Sequence, residues 1–268
     1  MLHAEVRGLP IAYQRAGRGA PLVLLHGFLV DSRLWQPQLE SLSAEFTVIA
    51  WDAPGAGQSA DPPEPFGIDD WADCLAGLLD AVGVESAHVV GVSWGGMLAQ
   101  EFYRRRGERV RSLTLAGTYS GWRSSLGAAL SEERLANCLR DASLPAAEVV
   151  AKYMPGMLGE SATQAAREEL ARIMSDFHPA GFRLMAMSSA EVDTRDILRE
   201  IRVPTLLVWG DADARSPLTV ARQFHAAIPD ARLAIVAGAG HVSNVDAPAQ
   251  FNAVVRDFCA GGDASATR

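Results

Sequence analysis

Short apolar segments alternate with longer segments of helical periodicity along most of this chain. The apolar segments contain few polar positions and no strict alternation, which is typical of strands buried on both faces of a parallel sheet. We predict strands over Leu22–His26, Thr47–Asp52, Ala87–Ser93, Val110–Ala116, Thr205–Gly210 and Leu233–Ala237. With the helices between them, this order predicts an α/β fold in which a mostly parallel sheet is flanked by helices.

The regions around these strands contain a hairpin and two clear helices. His3–Arg7 and Ile11–Arg15 flank a Gly-Leu-Pro turn and predict an antiparallel edge hairpin. Apolar residues recur with helical spacing from Trp71 to Val82, preceded by two aspartates that suit the first turn of a helix. A second helix is predicted over Trp94–Arg106, where the three arginines at its end face the negative pole of the helix dipole.

One long segment, Tyr119 to about Ala190, breaks the alternation because it contains only helical patterns. They predict helices over Ser131–Asp141, Ala146–Met154 and Pro179–Ser189, and one that starts with a capping box at Ser161 and Gln164 and ends at Ser175. We therefore expect an α/β core formed by residues 1–118 and 191–260, a helical cap over 119–190 and a disordered tail over 261–268. Most apolar side chains of the cap should pack between its helices, and we expect Trp122, Met154 and Phe182 to reach the substrate.

Composition and charge exclude several classes of function. The 268 residues are 49% hydrophobic and 21% charged, and the net charge is −8. This balance predicts a folded chain and argues against binding to nucleic acid or to anionic membrane surfaces. No apolar run approaches the roughly 20 residues of a membrane span, and no export signal is recognisable. Three widely spaced cysteines without a CxxC pair indicate reduced thiols in a cytoplasmic protein.

The strongest chemical signal is the sequence Gly91-Val92-Ser93-Trp94-Gly95, which lies between a predicted strand and a predicted helix. A strand-to-helix turn this tight needs glycines near the serine and exposes its hydroxyl group. Free N–H groups at the start of the helix also favour developing negative charge. Ser93 is therefore the predicted nucleophile.

A serine nucleophile needs a base and a group that orients the base. His241 follows the last predicted strand in a glycine-rich loop, and we predict it to be the base. Two aspartates, Asp211 and Asp213, follow the preceding strand, and Asp213 is preferred because it lies deeper in the loop. The resulting chain order of serine, aspartate and histidine is that of α/β-hydrolases.

The negative oxygen of the reaction needs backbone N–H donors. One donor should be the N–H of Trp94, which follows the nucleophile. The second should be the N–H of Phe28, since the loop at His26-Gly27-Phe28 follows a neighbouring strand. His26 itself is expected to hold the loop in place.

These residues together resemble the α/β-hydrolase superfamily over nearly the whole chain. The segments that carry the resemblance are His26-Gly27-Phe28, Asp52-Ala53-Pro54-Gly55-Ala56-Gly57-Gln58-Ser59, the turn at Ser93, Asp213 after its strand, and Gly240-His241. The residues from Gly240 to Asn252 resemble the 3-oxoadipate enol-lactonase branch in particular. The resemblance implies a helical cap and cytoplasmic, cofactor-free chemistry without a metal. Serine at position 93 argues against haloalkane dehalogenases and epoxide hydrolases, whose nucleophile is aspartate. The loop at His26 lacks the glycine- and proline-rich sequence that proline iminopeptidases have there.

The sequence thus predicts a serine hydrolase that acts on a small carboxylic ester or lactone through an acyl-enzyme. An alternative is a carbon–carbon bond hydrolase of the meta-cleavage type, which uses the same triad on a diketone, and thioester or peroxyacid chemistry also stays open. An alternative of another class is a non-catalytic ligand-binding protein on the same fold. The partner is expected to be a small-molecule substrate.

Overall fold

The computed structural model describes the backbone of residues 1–263 and the side chains of residues 1–261. Its centre is one eight-stranded sheet. The strands are β1 Leu2–Val6, β2 Leu9–Ala16, β3 Ala20–Leu25, β4 Phe46–Trp51, β5 Ala87–Val92, β6 Val110–Ala116, β7 Thr205–Gly210 and β8 Arg232–Val236. Their order across the sheet is β1-β2-β4-β3-β5-β6-β7-β8.

The pairing of the strands confirms the predicted mostly parallel sheet. The hairpin of β1 and β2 is antiparallel and β2 pairs antiparallel with β4, whereas every pair from β4 to β8 is parallel. All residues of β4, β5 and β7 are buried, because helices cover both faces of the central sheet. The loops that follow the parallel strands consequently meet at one edge of the sheet, where α/β proteins bind their ligands.

The helices fall into two groups. Those outside the insertion are α1 Gln36–Leu42, α2 Ile68–Ala81, α3 Trp94–Arg106, α9 Arg195–Leu198, α10 Leu218–Ala227, α11 Ser243–Asp246 and α12 Pro248–Asp263. Between β6 and β7 lie the inserted helices, which are α4 Trp122–Leu126, α5 Ala128–Asp141, α6 Ala146–Tyr153, α7 Gln164–Ser175 and α8 Pro179–Glu191. Short 3₁₀ helices occupy Ser32–Trp35 and Gly107–Arg109. None of the described helices combines the length and the apolar composition that a bilayer span requires.

Two local predictions need correction. Helix α7 is capped by Thr163, whose Oγ1 accepts a hydrogen bond from the N–H of Ala166 at 3.2 Å, and no capping box forms at Ser161. The hydroxyl of Ser161 instead donates to the carbonyl of Gly238. Helix α12 extends to Asp263, so the predicted start of the tail at 261 lies inside this helix. A helix that has already formed gains one backbone hydrogen bond for each residue added to its end. Residues 264–268 of the predicted tail lie outside the described residues.

Helix α8 approaches the core more closely than any side chain would permit. Gly181 on α8 lies against Gly55, and a Cβ atom at position 181 would be 1.9 Å from the carbonyl oxygen of Gly55. The missing side chain therefore lets the inserted helices dock on the loop that follows β4.

The loop after β3 is held by His26, which is fully buried. Its Nδ1–H donates to the carbonyl of Gly27 at 2.6 Å, and its Nε2 accepts from the N–H of Ala53 at 2.9 Å. This pairing requires the neutral imidazole, and burial lowers the pKa of His26 below its ordinary value of 6.5. His26 thus joins the loops after β3 and β4, in agreement with its predicted structural role.

We expect Gly181→Ala to destabilise the protein by about 1–3 kcal/mol, because the added methyl group meets backbone atoms that cannot move aside separately. Urea unfolding followed by fluorescence measures the change. Gly107→Ala is the matched control, since its Cβ would have only ordinary contacts and its φ of −54° suits alanine. Equal stability of the two variants would contradict the proposed docking contact.

We expect His26→Asn to flatten the pH dependence of stability. The unfolded state takes up a proton below about pH 6.5 that folded His26 does not accept, so stability is full above this pH and falls below it, by up to about 1.4 kcal/mol per pH unit. Thermal unfolding from pH 7.5 to 5.5 should show a smaller loss in the variant than in the native protein. His3→Asn, at an exposed histidine, should keep the native slope; a native slope in His26→Asn would refute this explanation.

Candidate active site

The turn between β5 and α3 holds Ser93 in the left-handed region, with a φ of 55°. Serine adopts this conformation only at an energetic cost, so the surrounding structure must enforce it. The N–H of Ser93 donates to the carbonyl of Ala116 at 2.9 Å, and Thr118 Oγ1 donates to the carbonyl of Ser93 at 2.6 Å. The end of β6 therefore fixes the backbone of the predicted nucleophile on both sides.

The two glycines of the motif are required by close backbone approaches. A Cβ atom at Gly91 would be 2.2 Å from the carbonyl oxygen of Gly95, and one at Gly95 would be 2.2 Å from that of Leu25. Helix α3 consequently begins against the ends of both β5 and β3. This packing is the physical reason for the spacing that the sequence displays around Ser93.

Asp213 and His241 form a buried hydrogen-bonded pair. His241 Nδ1 lies 3.0 Å from Asp213 Oδ2, and the side chains are 5% and 0% exposed, respectively. Since the carboxylate can only accept, Nδ1 carries the proton and Nε2 is left as the basic nitrogen. Gly117, which follows β6, packs against the pair. A Cβ atom at Gly117 would be 3.2 Å from Asp213 Oδ2 and 3.3 Å from His241 Nδ1.

The neighbouring aspartate has a different contact. Asp211 is exposed, and its Oδ1 accepts a hydrogen bond from the N–H of Gly238 at 2.7 Å. Asp213 Oδ1 accepts from the N–H groups of Arg215 and Ser216, both at 2.8 Å. The structure thus brings Asp213, and not Asp211, to the imidazole.

The loop that carries His241 is fixed to the inserted helices and to the core. Asp246 Oδ2 accepts from the N–H of Gly240 at 2.5 Å and from that of Gly159 at 2.6 Å. The N–H of Val242 donates to the carbonyl of Met157 at 3.0 Å. These bonds determine where the imidazole lies relative to Ser93.

The predicted oxyanion donors lie beside Ser93. Gly27 touches it, since a Cβ atom at Gly27 would be 3.3 Å from Ser93 Cβ, and Phe28 is the next residue. Trp94 is the first residue of α3, and its buried indole donates to Ser188 Oγ at 3.0 Å. Both residues are therefore neighbours of Ser93, and their role as oxyanion donors stays a prediction.

Ser93 and His241 line one small pocket of about 30 Å³. The pocket is also lined by Gly27, Phe28, Leu29, Val30, Val92, Tyr153, Met157, Arg215 and Val242. Among the contacts of the described residues, no hydrogen bond joins Ser93 to His241. Such a bond often tightens only when substrate is bound.

Larger grooves of about 330, 410 and 510 Å³ lie away from both residues. The candidate site is therefore identified by the chemistry of its side chains and not by the volume of the groove.

The residues predicted to bind substrate lie outside this lining. The rings of Trp122 and Phe182 pack against Phe28, with centroids 5.9 and 5.5 Å from its ring. Met154 follows Tyr153, which does line the pocket. The role of these three in substrate binding stays a prediction, whereas the sequence reasoning missed Tyr153 and Arg215.

The missed residues had only weak signals in the sequence. Arg215 lies two positions after Asp213. Tyr153 lies in a predicted helix, and the sequence does not show which face of that helix meets the core.

Among the described residues, no group of three or more His, Cys, Asp or Glu side chains is arranged to hold a metal ion.

Comparison with known proteins places this geometry in a family. A family model described as the alpha/beta hydrolase fold matches residues 20–248. A protein of Azorhizobium caulinodans named "Putative carbamate hydrolase RutD" is 34% identical over 264 residues, which cover 97% of this chain and 98% of that protein.

Solved structures give the same result. A thermophilic esterase from Thermogutta terrifontis, with malate bound, has a TM-score of 0.90 at 26% identity and covers 97% of this chain and 98% of its own. The enol-lactonase from Burkholderia xenovorans LB400 has a TM-score of 0.87 at 22% identity, with coverage of 97% and 100%, and this likeness shows the fold alone. The buried Asp213–His241 pair, the turn at Ser93 and the sheet therefore belong to a hydrolase, and the chain is a member of the α/β-hydrolase fold family.

Proposed function

We propose that this hydrolase cleaves small carboxylic esters or lactones with Ser93 as its nucleophile. The observation that carries the proposal is the Asp213–His241 hydrogen bond of 3.0 Å in the same pocket as a serine with a φ of 55°. Strained backbone and buried ionisable pairs concentrate at functional sites, because folding alone gains nothing from them.

The reaction follows from the protonation state of the pair. His241 Nε2 accepts the proton of the Ser93 hydroxyl as Oγ attacks the carbonyl carbon, and the negative oxygen is stabilised by the N–H groups of Phe28 and Trp94. Collapse of the tetrahedral intermediate breaks the bond to the leaving alcohol, which takes the proton from His241. Water then repeats the sequence on the acyl-enzyme and releases the acid. Asp213 keeps Nδ1 protonated and stabilises the imidazolium.

The inserted helices act as a cap domain over residues 119–190 in this proposal. Tyr153 and Met157 come from the insertion and line the pocket together with Ser93. Because these two side chains help to confine the pocket to about 30 Å³, we expect the segment that carries them to shift as substrate enters. Substrate selection therefore depends on the inserted helices.

Carbamates are a second candidate substrate class. The similarity to RutD extends over nearly the full length of both chains, and the name of that protein refers to carbamate hydrolysis. A carbamate carbonyl is open to the same attack by a serine. A screen of short esters, lactones, carbamates and vinylogous diketones separates these classes and includes the meta-cleavage alternative.

We expect Ser93→Ala and His241→Ala each to lower kcat/KM for the best substrate by about 10⁴–10⁶-fold, because the two groups act as one unit. A fluorophosphonate should label the native protein at Ser93 and should not label Ser93→Ala. The control is Ser175→Ala, at an exposed serine on α7, which should keep native labelling. A folded native protein whose Ser93 stays unlabelled and inactive would favour a ligand-binding protein instead.

We expect Asp213→Asn to lower kcat by about 10³–10⁴-fold, because the amide no longer favours the imidazole tautomer with its proton on Nδ1. Asp211→Asn, at the neighbouring carboxylate that contacts Gly238, should cost less than about tenfold. Steady-state kinetics of both variants on one substrate decides the comparison. A larger loss of kcat in Asp211→Asn than in Asp213→Asn would show that Asp211 orients the imidazole and would contradict the assignment of Asp213.

A further inference from the structure

Arg215 places a positive charge in the pocket that contains Ser93 and His241. It lies in the loop after β7, two residues beyond Asp213. Its Nη2 donates to the carbonyl of Pro155 at 3.1 Å and to that of Tyr153. Its Nε is out of contact with water and has no hydrogen-bond partner. A buried donor without a partner is rare and calls for an explanation.

No carboxylate forms an ion pair with this guanidinium among the described residues. Asp213, the acidic residue closest in sequence, already accepts hydrogen bonds from His241 and from two backbone N–H groups. Some partly buried arginines have a carboxylate partner, as Arg33 has in Asp31 at 2.6 Å. Within the described part of the chain, Arg134 and Arg167 contact only Tyr119 Oη and main-chain carbonyls, respectively. Arg215 is distinguished by its place in the lining of the pocket with Ser93 and His241 and by a buried Nε that has no hydrogen-bond partner.

The surroundings of Arg215 make its charge costly in the absence of a ligand. Burial, and secondarily the neighbouring Arg134, lower the pKa of the Arg215 guanidinium, and the attraction of Asp213 offsets only part of this effect. Arg134 itself donates to Tyr119 Oη at 3.3 Å and does not line the pocket. An anionic group of a ligand would offset the desolvation of Arg215, as one partner of a buried ion pair does for the other.

We propose that Arg215 determines substrate specificity by binding a carboxylate that the substrate carries in addition to its reacting carbonyl. The proposal rests on the proposed hydrolysis at Ser93 and narrows its substrates to anionic esters or lactones. The same arginine holds the carbonyls of Tyr153 and Pro155, and Tyr153 lines the pocket. When this segment moves as substrate enters, Arg215 releases the two carbonyl groups and binds the substrate carboxylate instead. A guanidinium can bind a carboxylate through two parallel hydrogen bonds.

The test compares matched anionic and neutral esters. Methyl hydrogen glutarate against methyl pentanoate places the carboxylate in the acyl part, and acetoxyacetate against propyl acetate places it in the alcohol part. The native protein should prefer the anionic ester of at least one pair by roughly 10- to 100-fold in kcat/KM, the range typical of a hydrogen bond to a charged group. Arg215→Met should abolish this preference mainly through KM, and Arg215→Lys should retain part of it.

The controls separate substrate binding from a structural role. Arg134→Met removes a nearby positive charge that lies outside the pocket lining, and it should leave the preference unchanged within about twofold. If Arg215 only clamps the Tyr153 segment, Arg215→Met will slow both members of each pair equally and lower the melting temperature. That result, or a native preference for the neutral ester in both pairs, overturns the proposal.

A second readout does not depend on turnover. Glutarate, which has no ester bond, should slow fluorophosphonate labelling of Ser93 in the native protein but not in Arg215→Met. If Ser93 labels normally and glutarate protects neither protein, the role of Arg215 fails while the serine hydrolase stands. If Ser93 is never labelled and no ester is cleaved, the proposed function itself fails.

Discussion

The backbone of Ser93 is the constraint on which the site depends. A serine with a φ of 55° persists only where hydrogen bonds and packing from neighbouring elements exceed its local strain. Here the end of β6 binds its N–H and carbonyl groups, and glycines allow β3, β5 and α3 to meet without side chains between them. The sheet thus supplies the rigidity that a reactive hydroxyl group requires.

The same edge of the sheet brings the other groups together because the strands from β4 to β8 are parallel. Asp213 follows β7, His241 follows β8, and the loop at Gly27 follows β3. Contacts between these loops, such as that of Gly117 with the Asp213–His241 pair, fix distances that no single loop could fix alone. Preorganisation of this kind lowers the cost of reaching the transition state.

The insertion and the core form one hydrogen-bonded network around the pocket. Asp246 binds the N–H groups of both Gly240 and Gly159, so the loop of His241 is attached to the inserted segment. Tyr153 Oη, on α6, donates to Asp141 Oδ2 at 2.7 Å, and Lys152 Nζ lies 2.6 Å from the same oxygen. The inserted segment is therefore connected by hydrogen bonds to the loop of His241 and to Arg215.

The sequence by itself determined the fold class and the order of the strands along the chain, and it singled out Ser93, Asp213 and His241 as candidates. Apolar runs and helical periodicity reflect burial that each element must satisfy, and the glycines around Ser93 reflect a local backbone requirement. Such features are local, and they are readable without coordinates. The sequence also favoured Asp213 over Asp211, and only Asp213 reaches the imidazole in the structure.

Only the tertiary structure decided which side chains surround the serine. Trp122 and Phe182 pack on Phe28, which lines the pocket, while Tyr153 and Arg215 line it directly. The capping of α7 by Thr163 in place of Ser161 has the same origin, because Gly238, distant in sequence, accepts the hydroxyl of Ser161. Which face of an inserted helix meets the core depends on contacts between residues far apart in the chain, and a pattern of hydrophobic positions does not encode those contacts.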